Sequence, residues 1–216
     1  MLKAVIFDFD YTLGDSTNGI VLSINYALEK LGYVSPDIAD IKKTIGLSLT
    51  ETCFELTSNR NSDEAEQFRR LFQEKADRVM VANTELYAGV EEILQKLRAK
   101  GYKTAIVTTK FHYRMEQILS KFNANELIDI IVGAEDVKTE KPDPEGLLWT
   151  IEHLGIRRDE ALYVGDSLVD AKTAENAKVP FAAVLTGTTK RDEFRSYPSV
   201  YIGETLSDVC NYIFTL

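Results

Sequence analysis

Ala4 to Phe7 form a short unbroken apolar run with the β-branched residues Val5 and Ile6 at its centre. A run this short and this apolar fits a strand buried on both faces, as in a parallel sheet. It stops at Asp8-Phe9-Asp10. Side chains alternate along a strand, so the two aspartates share one face and Phe9 takes the other. Two carboxylates at the end of a buried strand are costly unless a cation and a reacting anion compensate them. Alone, such a pair reads more readily as a solvated acidic turn. The rest of the chain decides between these readings.

The pattern predicts helices over most of residues 15–84. Ile20, Val21, Ile24, Ala27, Leu28 and Leu31 form a stripe behind the possible cap Ser16, and Gly32 is a stop. Pro36-Asp37 opens a short helix. A turn at 44–48 precedes a helix over 49–56, and Ser62 is placed to cap a long helix bearing Phe68, Leu71, Phe72, Val79 and Met80. No strand signal interrupts this stretch. After Tyr87 the pattern becomes alternating. Helices are expected over 90–100, 113–122, 144–154, 169–177 and 206–214. Strands are expected over 103–108, 128–132, 162–165 and 181–185, with a short edge strand at 200–202. Alternation of this kind predicts an α/β fold, a Rossmann-like parallel sheet covered on both faces. The first strand belongs to that sheet. Residues 1–14 and 85–216 are therefore read as the core domain, and residues 15–84 as an inserted all-helical domain.

Composition narrows the function classes. The 216 residues carry 25 Lys and Arg against 34 Asp and Glu, a formal net charge of -9. That argues against general nucleic-acid or anionic-membrane binding, though not against a small anionic substrate. Cys53 and Cys210 have no metal-ligand spacing and read as buried thiols, which fits a reducing cytoplasm. The N-terminal apolar run is cut by Asp8 too early for a signal peptide, and no apolar stretch approaches a membrane span.

Ligands of such sheets bind at the C-terminal ends of the strands. The first strand ends in Asp8 and Asp10. The second ends in Thr108-Thr109-Lys110. The third leads to Glu140-Lys141-Pro142, and the fourth ends in Gly165-Asp166-Ser167-Leu168-Val169-Asp170. Each has a bland alternative: Thr108 as an ordinary strand residue, Lys141 as a solvated cation, Asp166 and Asp170 as charges at a helix start. Their coincidence on one rim, in this order, favours a site. His112 and His153 have no partners in sequence, and Trp149 is expected in the core.

The four segments resemble those of the haloacid dehalogenase superfamily, in its phosphoglycolate phosphatase-like branch with a helical cap. The resemblance covers essentially the whole chain. Its motifs stand here as Asp8-Phe9-Asp10-Tyr11-Thr12, Thr108, Lys141 and Gly165-Asp166-Ser167-Leu168-Val169-Asp170. Tyr11 replaces the usual Gly, Gly14 stands where an apolar residue is common, and Thr109 replaces a frequent Asn. These departures bear on substrate identity more than on reaction class.

The resemblance implies a phosphatase with Asp8 as nucleophile and Asp10 as general acid and base. It implies Mg²⁺ held by Asp8, the Asp10 backbone carbonyl and Asp166, with Asp170 in the outer shell or as a further direct ligand. Thr108, with Thr109 beside it, and Lys141 would bind the phosphoryl group. The inserted domain would act as a lid, with Thr44 and Gly46 in a turn that meets the leaving group. The expected partner is a small phosphorylated metabolite, acted on in the cytoplasm by a monomer or weak homodimer. Two alternatives stand beside this. A β-phosphoglucomutase-like enzyme shares the motifs, but usually carries Arg where Leu49 stands and Val where Thr12 stands. A silent binding protein would not need Asp8, Asp10, Thr108, Lys141 and Asp166 intact.

Overall fold

The apolar tetrapeptide Ala4–Phe7 forms β1 and lies inside a six-stranded parallel sheet, as the computed structural model, which describes residues 1–216, shows. Every residue of β1 is fully buried, which is what an uninterrupted apolar run requires. The chain leaves the core through β2 (Gly14–Asp15) and builds α1 (Thr17–Lys30), α2 (Ile38–Thr44), α3 (Leu49–Thr57) and α4 (Ser62–Val79). It returns through β3 (Glu85–Leu86). The rest alternates: α5 (Val90–Ala99), β4 (Lys103–Val107), α6 (His112–Lys121), β5 (Ile130–Val132), α7 (Glu145–His153), β6 (Ala161–Gly165), α8 (Leu168–Ala177), β7 (Phe181–Val184), β8 (Ser199–Gly203) and α9 (Leu206–Ile213). None of the helices is long and apolar enough to cross a membrane.

The strand order is β5-β4-β1-β6-β7-β8, with every neighbouring pair parallel. Ala4 is in register with Lys103 on one side and Ala161 on the other. Successive connections run outward from β1 through β4 to β5, then cross to β6 and continue to β8. The direction therefore reverses between β1 and β6, and loops leaving those two strands diverge to open a crevice at their C-terminal ends. One apolar cluster under the sheet includes Ile6, Val107, Leu147, Tyr163, Phe181 and Phe194.

The chain divides into two compact units, residues 1–14 with 86–216, and residues 15–85. Within the second unit, α4 buries Ala65, Phe68, Phe72 and Ala76, a spacing of three and four residues that keeps one face apolar. On α1 the buried face includes Ile20, Ile24, Ala27 and Leu28, with Ser23 among them donating to the Gly19 carbonyl.

Three local expectations are corrected. Ser62 does not cap α4: Asn61 does, its side chain accepting from the Glu64 amide, and Ser62 is the first helical residue. Ser16 precedes α1 without a side-chain cap, because Asp15 accepts from the Thr17 amide instead. Trp149 is not core. The buried face of α7 carries Leu147, Thr150 and Ile151, so Trp149 lies outward, 44% exposed, and stacks on His153 one turn away at 3.6 Å between ring centroids.

Candidate active site

Asp8 follows β1 and Asp166 follows β6, the two strands that flank the switch point. Asp170 reaches the same place from the first turn of α8. Ser167 caps that helix by accepting from the Asp170 amide, and Asp170 answers by accepting from the Ser167 amide. This reciprocal cap fixes the Asp170 side chain before any ligand arrives. One oxygen of Asp170 is used there. The other accepts from Lys141 Nζ at 2.7 Å and from the Tyr163 hydroxyl at 2.9 Å.

Lys141 comes from the loop before α7. That loop is tied down by Asn176 Nδ2 donating to the Pro142 carbonyl and by the Glu145 carboxylate accepting from the Lys138 and Thr139 amides. The ammonium donates to Asp8 Oδ1 at 2.8 Å as well as to Asp170, and to Tyr163 Oη at 3.2 Å. Asp8 Oδ2 has no donor from the chain.

Asp10 is held differently. Lys110, two residues beyond Thr108, sits 3.0 Å from Asp10 Oδ2, and both side chains are buried. The other oxygen, Asp10 Oδ1, is buried without a partner. The Thr108 hydroxyl accepts from the Lys110 amide at 3.2 Å. Thr109 is half-buried beside it. The amides of Phe9, Asp10 and Thr109 meet no acceptor in the chain.

The structure thus brings Asp8, Asp10, Thr108, Lys141, Asp166 and Asp170 to one rim. Thr44 and Gly46 belong to the helical unit. There the Thr44 hydroxyl is committed to the Ile41 carbonyl, and Gly46 has a left-handed backbone with φ 97°. His112 has a partner after all: its Nδ1 lies 2.6 Å from Asp136 Oδ2, away from the aspartate cluster. Two residues that sequence reasoning passed over complete the cluster. Tyr163 lies inside an expected strand, where nothing in the sequence singles out its hydroxyl. Lys110 carried a weak signal, a cation placed directly after a strand end.

Two glycines are dictated by close approach. A Cβ at Gly187 would fall 1.8 Å from Asp166 Oδ2, and one at Gly165 would fall 2.5 Å from Asp170 Cβ. Side chains there would displace the aspartates.

The electrostatics are unbalanced. Asp8, Asp10, Asp166 and Asp170 are buried beside two buried ammoniums, Lys110 and Lys141. With all six ionised, the site is short of two positive charges. The strain appears in the titration behaviour. Burial, reinforced by the neighbouring Asp170 charge and opposed by Lys141, pushes the Asp8 carboxyl up to about 7. Burial and the charges of Asp170 and Asp8 hold Asp166 well above the ordinary carboxylate range. Burial alone would depress Lys141, but Asp170 and Asp8 outweigh it and keep the ammonium protonated.

A divalent cation fits that deficit. Oxygens of Asp8, Asp166 and Asp170 lie within 4.8 Å of one another, and an all-oxygen donor set suits a hard cation. Because both Asp170 oxygens are already engaged, Asp8 and Asp166 are the better placed direct ligands.

The haloacid dehalogenase-like hydrolase family matches residues 5–184. A pyrophosphatase from Halalkalibacterium halodurans is 29% identical over 212 residues, 98% of this chain and 97% of that one. A phosphoglycolate phosphatase from Aquifex aeolicus is 30% identical over 190 residues, 88% of this chain and 87% of that one. A solved structure from Bacteroides fragilis, described as haloacid dehalogenase-like, superposes with a TM-score of 0.94 at 41% identity, covering 97% of this chain and all of that one. The chain belongs to the haloacid dehalogenase-like hydrolase family.

Proposed function

We propose that this protein is a Mg²⁺-dependent phosphatase that hydrolyses a small phosphorylated metabolite through an aspartyl-phosphate intermediate. The observation that carries this reading is the state of Asp8. It is a buried carboxylate with one oxygen held by Lys141 and the other free, beside unpaired amides and the Thr108 hydroxyl.

Asp8 attacks phosphorus with its free oxygen, and the bond to the leaving oxygen breaks in line. Asp10 gives its proton to that leaving oxygen. It then takes one from the water that attacks phosphorus and releases Asp8. Its unpartnered Oδ1 is the atom suited to both transfers. Lys141 keeps the Asp8 carboxylate oriented and offsets charge as the transition state spreads it over the phosphoryl oxygens. Thr108 and the amides of Phe9, Asp10 and Thr109 bind those oxygens, with Thr109 at the rim of the cradle.

Asp8, the backbone carbonyl of Asp10 and Asp166 would hold Mg²⁺, with Asp170 placed by its cap and by Lys141 just outside. Bound there, the cation supplies the missing positive charge, lowering the raised carboxyl pKa values and screening the phosphoryl oxygens. Residues 15–84 would serve as the cap, excluding water and limiting substrates to small molecules.

The test is release of inorganic phosphate from a panel of phosphorylated metabolites, with Mg²⁺ and after chelation. Turnover of at least one member that chelation abolishes and Mg²⁺ restores is expected. Absence of turnover on every ester and anhydride, or turnover indifferent to chelation, removes this reading.

A further inference from the structure

Thr186 and Gly187 leave the sheet where β7 ends, and the base they stand on is fixed. β7 stops at Val184, and the Leu185 amide donates to the Gly203 carbonyl of β8 at 3.0 Å. The next two residues meet the aspartate rim. The Thr186 hydroxyl donates to the Tyr11 carbonyl, 175 residues away in the chain. Gly187 lies against Asp166, so closely that a Cβ there would fall 1.8 Å from Oδ2. One short segment therefore touches both the turn that follows Asp10 and the carboxylate that follows β6.

Tyr11 shows what the first contact does. It holds φ at 58°, in the left-handed region, which a residue with a side chain keeps only where its surroundings over-determine it. Both peptide groups of Tyr11 are tied. Its amide donates to the Gly14 carbonyl at 2.8 Å, and its carbonyl accepts from Thr186. The Asp10–Tyr11 peptide is trans, so the Asp10 carbonyl points away from the Gly14 bond. Holding Tyr11 on both sides therefore holds the direction of the Asp10 carbonyl. The local turn supplies one tie, and Thr186 supplies the other from two strands away.

We propose that Thr186 is a positioning residue for the cation site. With Gly187 it forms a clasp that sets the Asp10 carbonyl against the Asp166 carboxylate. This rests on the reading of Asp8, the Asp10 carbonyl and Asp166 as Mg²⁺ ligands. Mg²⁺ demands a near-ideal octahedron, so small errors in the placement of its oxygens weaken binding. The Thr186 hydroxyl is committed to Tyr11, so its effect passes through the ligands it holds and not through the phosphoryl group.

The test titrates Mg²⁺ into Thr186→Val, which keeps the shape of the side chain and removes its hydroxyl. Two midpoints are read. One is the Mg²⁺ concentration at half-maximal hydrolysis of an aryl phosphate. The other is the dissociation constant given by the rise of Tm with Mg²⁺ in the absence of substrate. Both should increase by about tenfold, the scale of losing a group that orients a metal ligand. The loss should fall on these midpoints more than on kcat at saturating Mg²⁺. Thr186→Ser, which keeps the hydroxyl, should restore both. Gly187→Ala should raise both as well, because its methyl displaces Asp166. If Thr186→Val does not fold, Thr186→Ala carries the same expectation. Unchanged midpoints in Thr186→Val, with only a lower Tm in metal-free protein, would reduce Thr186 to a contact of the fold and overturn the proposal. So would a Thr186→Ser variant as impaired as Thr186→Val, or a Gly187→Ala variant with wild-type midpoints. A wild-type protein whose Tm and turnover ignore Mg²⁺ would instead remove the parent reading.

Discussion

The two units bury different chemistry. In residues 15–85 the buried polar side chains are Ser16, Thr17, Ser23, Thr44, Thr52 and Thr84, all hydroxyls. Several close back on the turn just before them: Ser23 on the Gly19 carbonyl, Thr44 on Ile41, Thr84 on Met80. The α/β unit buries Asp8, Asp10, Lys110, Arg114, Lys141, Glu160, Asp166 and Asp170. A hydroxyl that folds back on its own turn costs little, whereas a buried charge needs a partner or a ligand. The difference teaches where chemistry resides. One unit is held together by its amphipathic faces, and the other carries a cluster that packing alone does not account for.

The sharpest way to break that contrast is at the nucleophile. Asp8→Asn should lose all measurable turnover and leave no phosphoryl label on the quenched protein. Asp10→Asn should retain label, because the intermediate forms with a good leaving group but its water loses its base. Label on the Asp8 variant would show that the buried cluster is not the reacting centre.

The helical unit should answer to packing instead. Phe68 is fully buried, 6.4 Å from Phe72 between ring centroids. Phe68→Ala should cost about 3–5 kcal/mol of that unit's stability. In protein that remains folded, kcat on a small aryl phosphate should stay within a few-fold of wild type. A collapse of kcat in folded protein would tie the helices to the chemical step.

A third outcome concerns pH. Asp8 is raised from an unfolded value near 3.8 to about 7, and Asp166 is raised too. A folded state that binds protons more tightly than the unfolded chain is stabilised at low pH. That contribution is fully present below the unfolded value and is lost as pH rises through the folded one. Metal-free protein should therefore lose roughly a few kcal/mol of stability between pH 5 and pH 8, read as a falling Tm. Mg²⁺ should flatten the profile. A Tm that rises over this window without metal would contradict the charge deficit.

The smallest effect is expected at Tyr11, which holds φ at 58°. A non-glycine residue in the left-handed region costs about 1 kcal/mol. Tyr11→Gly should relieve that strain, and because the side chain is buried at 7% exposure it should also lose packing. The net change in stability is expected within about 1 kcal/mol of zero. A much larger loss would give Tyr11 a structural role beyond the turn.

Much of the α/β sheet was legible because parallel strands are apolar runs, and Ala4–Phe7, Lys103–Val107 and Ala161–Gly165 sit where those runs are. The rim could be read for a related reason: carboxylates at the ends of such runs stand out. What stayed hidden depends on distance in space or on helix phase. Lys110 meets Asp10, and Tyr163 meets Asp170 and Lys141, only once β1, β4 and β6 lie side by side. Trp149 was misplaced because its apolar character was weighed without its position around the helix. Asn61 and Ser62 are both good capping residues, and the choice turned on local backbone geometry.

The place of β1 in the sheet has a consequence for synthesis. It is made first, yet its neighbours in register begin at Lys103 and at Ala161. At ribosomal speeds of about 5–20 residues per second, this apolar strand waits on the order of ten seconds for both partners. Much of the first interval is spent making residues 15–85, which form a compact unit of their own. If that unit collapses as it emerges, it draws Gly14 and Leu86 together and shortens the loop that β1 and β4 must close. The insertion would then act as a splint during biogenesis, holding the nascent chain ready while the rest of the sheet is still being made.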